Sequence, residues 1–378
     1  MAPARRRVML LFGGRSAEHD VSCVTAVAVA RALDPERYEV VPIAITTEGE
    51  WLLAGEARAA LEKGTHALPS AFAVEGEPVL PPSVPAHQEI VPASAAGDDG
   101  VDGLAPDVVL PLLHGPYGED GTVQGLLELA GLAYVGSGVV GSAVGMDKVM
   151  MKRAFAAAGL PQARALARRD GVDHAADPGA FATRVVDELG LPAFVKPANM
   201  GSSVAVTKAH DRAELDAAIA LAFDYDEWCI AEEAVSGREI EVGVLGDDPP
   251  EASVPGEIVP GDEFYSYADK YENGDAQLLV PAPLSADGTA EVRGLAVRAF
   301  EACRCEAMAR VDFFYEDGPG GRGFLVNELN TIPGFTPISM YPKLWDASGV
   351  PYPELLDRLI DLAIARRDRR ARRAGRQR

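Results

Sequence analysis

The chain has 378 residues, 48% hydrophobic and 24% charged, an ordinary globular composition with room for two or three domains and a sizeable core. Its formal charge is −22, and because residues 366–378 carry eight Arg and one Asp, the body before that tail stands at −29. Such a body excludes nonspecific binding of nucleic acid or an anionic membrane, which needs a broad cationic surface; an anion must be held locally, by placed lysines, backbone N–H groups or a metal.

Lysine is scarce, seven against 28 Arg, so the position of each lysine carries weight. The cysteines Cys23, Cys229, Cys303 and Cys305 form no CxxC pair, which argues against zinc and fits a reducing cytoplasm. Residues 7–12 are an apolar run ending at Gly13-Gly14, too short for a signal-peptide core or a membrane span, and predict a buried first strand. A helix follows, with Val21, Val24, Thr25 and Ala28 at helical spacing. Residues 38–45 predict a second strand, and 62–105, rich in Ala, Pro and Gly, a loop with one or two edge strands. Residues 108–113 predict a third strand, followed by a helix carrying Val123, Leu126, Leu127 and Ala130. Strands alternating with helices predict an α/β unit with a parallel sheet.

A second unit starts near Gly136. Asp147 precedes a helix with Met151, Ala154, Phe155 and Ala158, stopped by Gly159 and Pro161. Then come a helix at 180–189, strands at 193–196 and 204–207, a helix at 212–223 and a strand at 228–232. The third unit has a strand at 240–245, an aromatic and polar stretch at 261–277, a long helix at 287–303, and a hairpin of strands 308–315 and 324–330 around DGPGGRG. A final helix shows Leu356, Leu359, Ile360 and Ala363; the Arg tail at 366–378 has no apolar face and is expected to be disordered.

Five segments carry candidate chemistry. In the hairpin, alternation puts Arg310 and Asp312 on one face of the first strand and Glu328 and Asn330 on one face of the second. Two carboxylates and a carboxamide are hard oxygen ligands of the kind Mg²⁺ takes, with Arg310 beside them for a phosphate or oxyanion. In AFVKPANMGSSVAV, Lys196 ends an apolar strand before a glycine–serine loop, so it can reach phosphate oxygens; no GKS/T ending marks a Walker loop. Lys148 and Lys270 are two further placed lysines. In CIAEEAVSGREIEVGVL, acids and backbone at a strand crossover can read an adenine and a ribose. GGRSAEHDVS places Glu18 in a helix first turn, where a carboxylate is favoured and could hold a substrate ammonium. HGPYGEDG puts His114 at the C-terminal end of the third strand, the edge where α/β sheets place ligands. The 261–277 stretch reads as a lid that closes and excludes water. Gly136, Gly138 and Gly141 match GxGxxG, but no acid follows about 20 residues on, so the run reads as a linker between units.

These segments, in this order, resemble the D-alanine–D-alanine ligases of the ATP-grasp superfamily; the motifs GGRSAEHDVS, HGPYGEDGTVQGLLELAGLAYVGSG, GMDK, VKPANMGSSV, EFYSYADKY, RVDFF and NELNTIPGFTPISMYP span residues 13 to 342. The resemblance implies a three-domain ATP-grasp architecture, α/β overall and α+β in the ATP-grasp part: an N-terminal parallel-sheet domain at 1–136, a central subdomain at 137–231 and a C-terminal subdomain at 232–365 with the lid. It implies ATP-dependent joining of two D-alanines through an acyl phosphate, for peptidoglycan precursors, in the cytoplasm, with ATP and two Mg²⁺ (or Mn²⁺). Lys148 and Lys196 would contact phosphates, Glu232, Glu233, Ala234 and Val235 the adenine, and Glu239 the ribose. Asp312, Glu328 and Asn330 would hold the metal ions. Glu18, Ser202 and Tyr271 would form a linked set beside the first D-alanine, Lys270 and Ser339 would hold the second substrate's carboxylate, His114 and Met340 would also bind substrate, and Arg310 and the Gly334 N–H would stabilise the tetrahedral centre. Glu233 departs from the pattern, since many relatives carry Lys there. D-Lactate or D-serine as second substrate, or another carboxylate–amine pair, remain open; Tyr271 in the lid favours D-alanine. The resemblance also leaves a homodimer open.

Overall fold

The computed structural model describes residues 5–64, 66, 68–85, 88–95, 104–171, 179–201, 203–259, 277–336 and 338–374. The opening apolar run is β1 (Arg6–Gly13), buried from Val8 onward on both faces, which is why its sequence does not alternate. It leads into α1 (His19–Ala32) and β2 (Tyr38–Ile45), followed by β3 (Trp51–Leu53), α2 (Gly55–Glu62), β4 (Glu77–Leu80), β5 (Val91–Pro92), β6 (Val108–Pro111) and α3 (Thr122–Leu129). The sheet order is β5-β4-β3-β2-β1-β6; β1 pairs in parallel with β2 and β6, and the far strands add antiparallel. The Pro- and Gly-rich stretch thus supplies two edge strands. The three-residue β3 and the Ala-rich α2 carry too little periodicity to be read from sequence.

The buried side of α1 differs from the expected one. Ser22, Cys23, Ala26 and Val29 face inward and Val24 is exposed. Ser22 earns its inside place with two hydrogen bonds, accepting from the Gly13 N–H and donating to the Leu112 carbonyl, so it ties the ends of β1 and β6 together.

The central part comprises α4 (Val139–Met146), α5 (Lys148–Ala157), β7 (Ala165–Arg169), α6 (Ala180–Glu188), β8 (Ala193–Pro197), β9 (Thr207–Ala209), α7 (Arg212–Tyr225) and β10 (Trp228–Glu233). Its sheet, β7-β10-β8-β9, is antiparallel. The expected strand at 204–207 begins only at Thr207, because Ser203 (φ 59°) and Ala205 (φ 54°) are left-handed and extend the glycine–serine loop.

The C-terminal part has β11 (Arg238–Leu245), β12 (Glu251–Val259), β13 (Gln277–Leu279), α8 (Ala286–Ala302), β14 (Met308–Glu316), β15 (Gly323–Asn330), α9 (Met340–Ala347) and α10 (Tyr352–Ala374). The antiparallel order is β13-β12-β11-β14-β15. β12 contains Pro255-Gly256 and reads as a turn; in the sheet a Cβ on Gly256 would lie 2.8 Å from the Met340 sulfur, so glycine is what lets α9 pack down.

The chain's last helix corrects one expectation. Leu355, Leu356, Leu359 and Ile360 of α10 share one core with Val8, Leu10 and Phe12 of β1 and with Leu245, Met308, Tyr341 and Trp345 of the C-terminal part, so the helix joins the two. Order does not stop at residue 365: α10 continues to Ala374, and Arg366 is 3% exposed. Its guanidinium lies over the Tyr134 ring and donates to the carbonyls of Tyr134 (2.6 Å) and Gly136 (2.5 Å). A tail without an apolar face is still ordered when backbone acceptors meet its cations. Among the described residues no helix is long and apolar enough to cross a membrane.

Candidate active site

Three loops of the N-terminal and central parts converge on Glu18. It occupies the N-cap position of α1, where a helix N-terminus favours a carboxylate, and is 9% exposed. A Cβ built on Gly201 would lie 3.4 Å from Glu18 Oε2, and one on Gly115 3.7 Å, so the glycine–serine loop after β8 and the loop after β6 both close on this oxygen. Ser202, in the first of these loops, lies outside the described residues, as do Lys270, Tyr271 and the lid as far as residue 276.

The loop after β6 reaches across to the segment that follows β15. His114 is buried with Nδ1 3.2 Å from the Ile332 carbonyl. Glu119 accepts from the N–H groups of Gly115 (2.6 Å) and Ile332 (3.3 Å). Burial first, and then the negative charge of Glu18, push the Glu119 carboxyl up to about 8 against those two N–H bonds. Ile332 also donates to Asn330 Oδ1 at 2.9 Å, so one peptide links the N-terminal domain to the hairpin.

On the central sheet the lysines gather. Asp147 caps α5 by accepting from the Met150 N–H, which places Lys148 at the start of the helix with Nζ donating to the Met200 carbonyl at 2.6 Å. Lys196 stands opposite Ile230 in the β8–β10 pairing, and Glu232, two residues along, shares its face. Lys196 Nζ is 2.6 Å from one Glu232 oxygen, and Lys152, one helical turn beyond Lys148, is 2.7 Å from the other. Burial pushes the Glu232 carboxyl up, but the two lysines outweigh it and hold the group down at about 2. Burial pushes Lys148 below the usual lysine range, against the charge of Glu328.

Glu233 faces the other way along β10. Its carboxylate is taken by Arg164 (2.7 Å) and by Arg322 of the β14–β15 turn (2.5 Å), so this side chain fastens the central sheet to the hairpin. The N–H groups of Glu233 and Ala234 are used internally, by the carbonyls of Arg164 and Pro192. Val235 follows in the crossover, and Glu239 is half-buried on β11.

The hairpin carries the acids as alternation required. Arg310 stands opposite Asn330 and Asp312 opposite Glu328, with the register shift only after Asp312. Arg310 forms a two-point pair with Asp312, 2.7 Å on each arm, and reaches Glu241 of β11 at 3.0 Å. Among the described residues no three His, Cys, Asp or Glu side chains converge as a metal cluster; the hairpin set is two carboxylates and the Asn330 carboxamide. Those donors are the hard oxygens that suit Mg²⁺ and, with phosphate oxygens, would complete its shell.

Beyond β15, Gly334 and Ser339 lie side by side: a Cβ on Gly334 would sit 3.0 Å from Ser339 Oγ. Ser339 occupies the N-cap position of α9, and its hydroxyl accepts from the Thr336 N–H instead of from the helix. The Met340 side chain is buried with Ile258 and Leu344. Sequence reasoning missed Lys152, Glu119 and Glu241. Lysine scarcity and the four-residue spacing from Lys148 could have flagged Lys152, and alternation from Glu239 could have flagged Glu241.

Two antiparallel sheets, one bringing lysines and the other a row of acids on one face, define the ATP-grasp class. Residues 7–137 match the family model described as D-ala D-ala ligase N-terminus, and residues 154–361 the one described as D-ala D-ala ligase C-terminus. The chain belongs to the D-alanine–D-alanine ligase family and is an ATP-dependent ligase. It is 49% identical over 378 residues to a D-alanine–D-alanine ligase of Streptomyces griseus subsp. griseus, covering 97% of this chain and 94% of that one. In structure it resembles the D-alanine-D-alanine ligase from Coxiella burnetii (TM-score 0.81, 34% identity, 98% of this chain and 97% of that one). It also resembles a D-Ala:D-Ser ligase from Enterococcus faecalis (TM-score 0.80, 32% identity, 95% and 100%).

Proposed function

We propose that the chain joins two D-alanines, with ATP cleaved to ADP and phosphate, to make a peptidoglycan precursor in the cytoplasm. What carries this reading is the pairing of Arg310 with Asn330 and Asp312 with Glu328 on the hairpin, in a protein whose Lys148 and Lys196 line the central sheet.

A carboxylate oxygen of the first D-alanine attacks the γ-phosphorus, and the bond to the ADP oxygen breaks. The amine of the second D-alanine then attacks the acyl carbon; the bond from that carbon to the bridging oxygen breaks, inorganic phosphate leaves with the oxygen, and the amine gives up a proton. Lys148 and Lys196 neutralise the phosphates, while Glu232 holds Lys196 in place. The backbone of Ala234 and Val235 borders the adenine and Glu239 the ribose. Asp312, Glu328 and Asn330 would hold two Mg²⁺, or Mn²⁺, which when bound neutralise phosphate charge. Glu18, with Ser202 and Tyr271, receives the first D-alanine's ammonium. Lys270 and Ser339 hold the second substrate's carboxylate, and His114 and Met340 also border the substrates. Arg310 and the Gly334 N–H face the tetrahedral centre, where one well-placed donor lowers a barrier by ~3–4 kcal/mol. The site needs no covalent nucleophile; positioning and charge neutralisation suffice for phosphoryl transfer.

The resemblance to the D-Ala:D-Ser ligase supports D-serine as the second reading. ADP release measured side by side with D-alanine, L-alanine, D-serine and D-lactate decides. D-alanine alone should support turnover; release with D-alanine only when D-serine is added would favour the second reading, and release with neither would overturn both.

A further inference from the structure

In the C-terminal sheet, Glu241 on β11 stands directly opposite Asp312 on β14, and Asp312 stands opposite Glu328 on β15. Three acids therefore form one row across adjacent strands. In the next row Arg310 stands between Gly243 and Asn330. The Arg310 Nε–H donates to Asp312 at 2.7 Å, and the same nitrogen lies 3.0 Å from a Glu241 oxygen as an ion pair; Glu241 is 4% exposed. One guanidinium thus serves two carboxylates, Glu241 buried and Asp312 partly buried, and only Asp312 belongs to the proposed metal set.

We propose that Glu241 is a positioning residue that retains Arg310 when Asp312 turns its carboxylate to a divalent cation. The inference rests on the metal reading of the hairpin. With Glu241 present, Asp312 can leave Arg310 without stranding a buried cation, and Arg310 stays aimed at the transferred phosphate and the tetrahedral centre. Without the Glu241 charge, Asp312 is the one carboxylate left paired directly with Arg310 among the described residues, and leaving it costs the cation that contact. A metal then competes against a tighter Arg310–Asp312 pair.

The test is Mn²⁺ titration by electron paramagnetic resonance, joined to steady-state kinetics, on the full chain. Glu241→Gln should raise the Mn²⁺ dissociation constant and lower kcat, each by about 10- to 100-fold, the range found when groups that orient a metal ligand are removed. The KM for ATP should stay within about twofold, because the lysines that meet the phosphates are untouched. On an Arg310→Met background the same substitution should change Mn²⁺ affinity by less than about twofold, because its route of action is gone. An equal loss on both backgrounds would mean that Glu241 acts on the metal directly and overturns the proposal, as would unchanged affinity in Glu241→Gln. Asp312→Asn separates the two readings: if it leaves Mn²⁺ binding intact the metal site itself is wrong, whereas lost binding there with an unaffected Glu241→Gln sinks the Glu241 role alone. Should Glu241→Gln not fold, Glu241→Asp keeps the charge on a shorter arm. Its affinity should fall below that of the unsubstituted protein, and equal affinity would overturn the role.

Discussion

Lys196 and Glu232 meet at 2.6 Å across the central sheet, both below a tenth exposed, and Lys152 completes the carboxylate's second arm. A buried carboxylate between two ammonium groups is strongly held, yet deleting it leaves two buried cations without the carboxylate that contacts both. Glu232→Gln should therefore lose about 3–5 kcal/mol of unfolding free energy. Lys152→Met on top of it should recover part of the loss. Urea unfolding at neutral pH measures both, and a loss under about 1 kcal/mol would refute the pairing as a stabilising element. The carboxyl, held down at about 2, also sets a pH signature. Its folded value is depressed, so its contribution is complete above the unfolded value and lost as pH falls from about 4.5 toward 2.

How far sequence reasoning reached follows from the kind of contact. The hairpin was legible because alternation is a local rule, and Arg310, Asp312, Glu328 and Asn330 obey it up to the register shift. The strand ending at Lys196 and the helix opening at Lys148 were legible from apolar runs and a capping Asp. Glu119 was not, because its two N–H partners come from its own loop and from a segment over 200 residues away. The packing of α10 on β1 was hidden for the same reason: an amphipathic helix announces a buried face but not which sheet receives it.

Removing the hard-oxygen ligand at the edge of the row should abolish turnover. Glu328 stands opposite Asp312 and its charge is felt by Lys148, Lys196 and Arg310. Glu328→Ala should leave no ADP release above background. EDTA should silence the unsubstituted protein and excess Mg²⁺ restore it. Near-normal ADP release by Glu328→Ala in a coupled assay would sink the metal assignment.

Glu119 gives the opposite pH sign to Glu232. Its folded pKa is raised from the usual 4.5 to about 8 by burial and by Glu18, so the folded protein binds a proton that the unfolded chain has released over that window. Stability from this group is full below the lower value and declines as pH rises to the upper one. Glu119→Gln, which cannot ionise, should remove that decline. The urea midpoint of the unsubstituted protein should fall relative to the variant's between pH 5 and 8, and parallel midpoints across the range would refute the buried neutral carboxyl.

The Arg-rich end of the chain should prove structural at one residue and dispensable at another. Arg366 is buried against Tyr134, bonds two carbonyls at the start of the segment leading to α4, and lies 3.3 Å from Glu306. Truncating it leaves both carbonyls without that donor, at ~1–3 kcal/mol for each buried group left unsatisfied. Arg372, six residues on, is exposed, and surface substitutions of that kind stay within ~0.5 kcal/mol. Arg366→Ala should lower the thermal midpoint by several degrees while Arg372→Ala leaves it in place. Because α10 packs on β1, whose end feeds the loop to Glu18, the Arg366 variant should also weaken first-substrate binding more than ATP binding. Equal midpoints for the two variants would return the whole tail to the status that its composition suggested, a polar extension with no part in the fold.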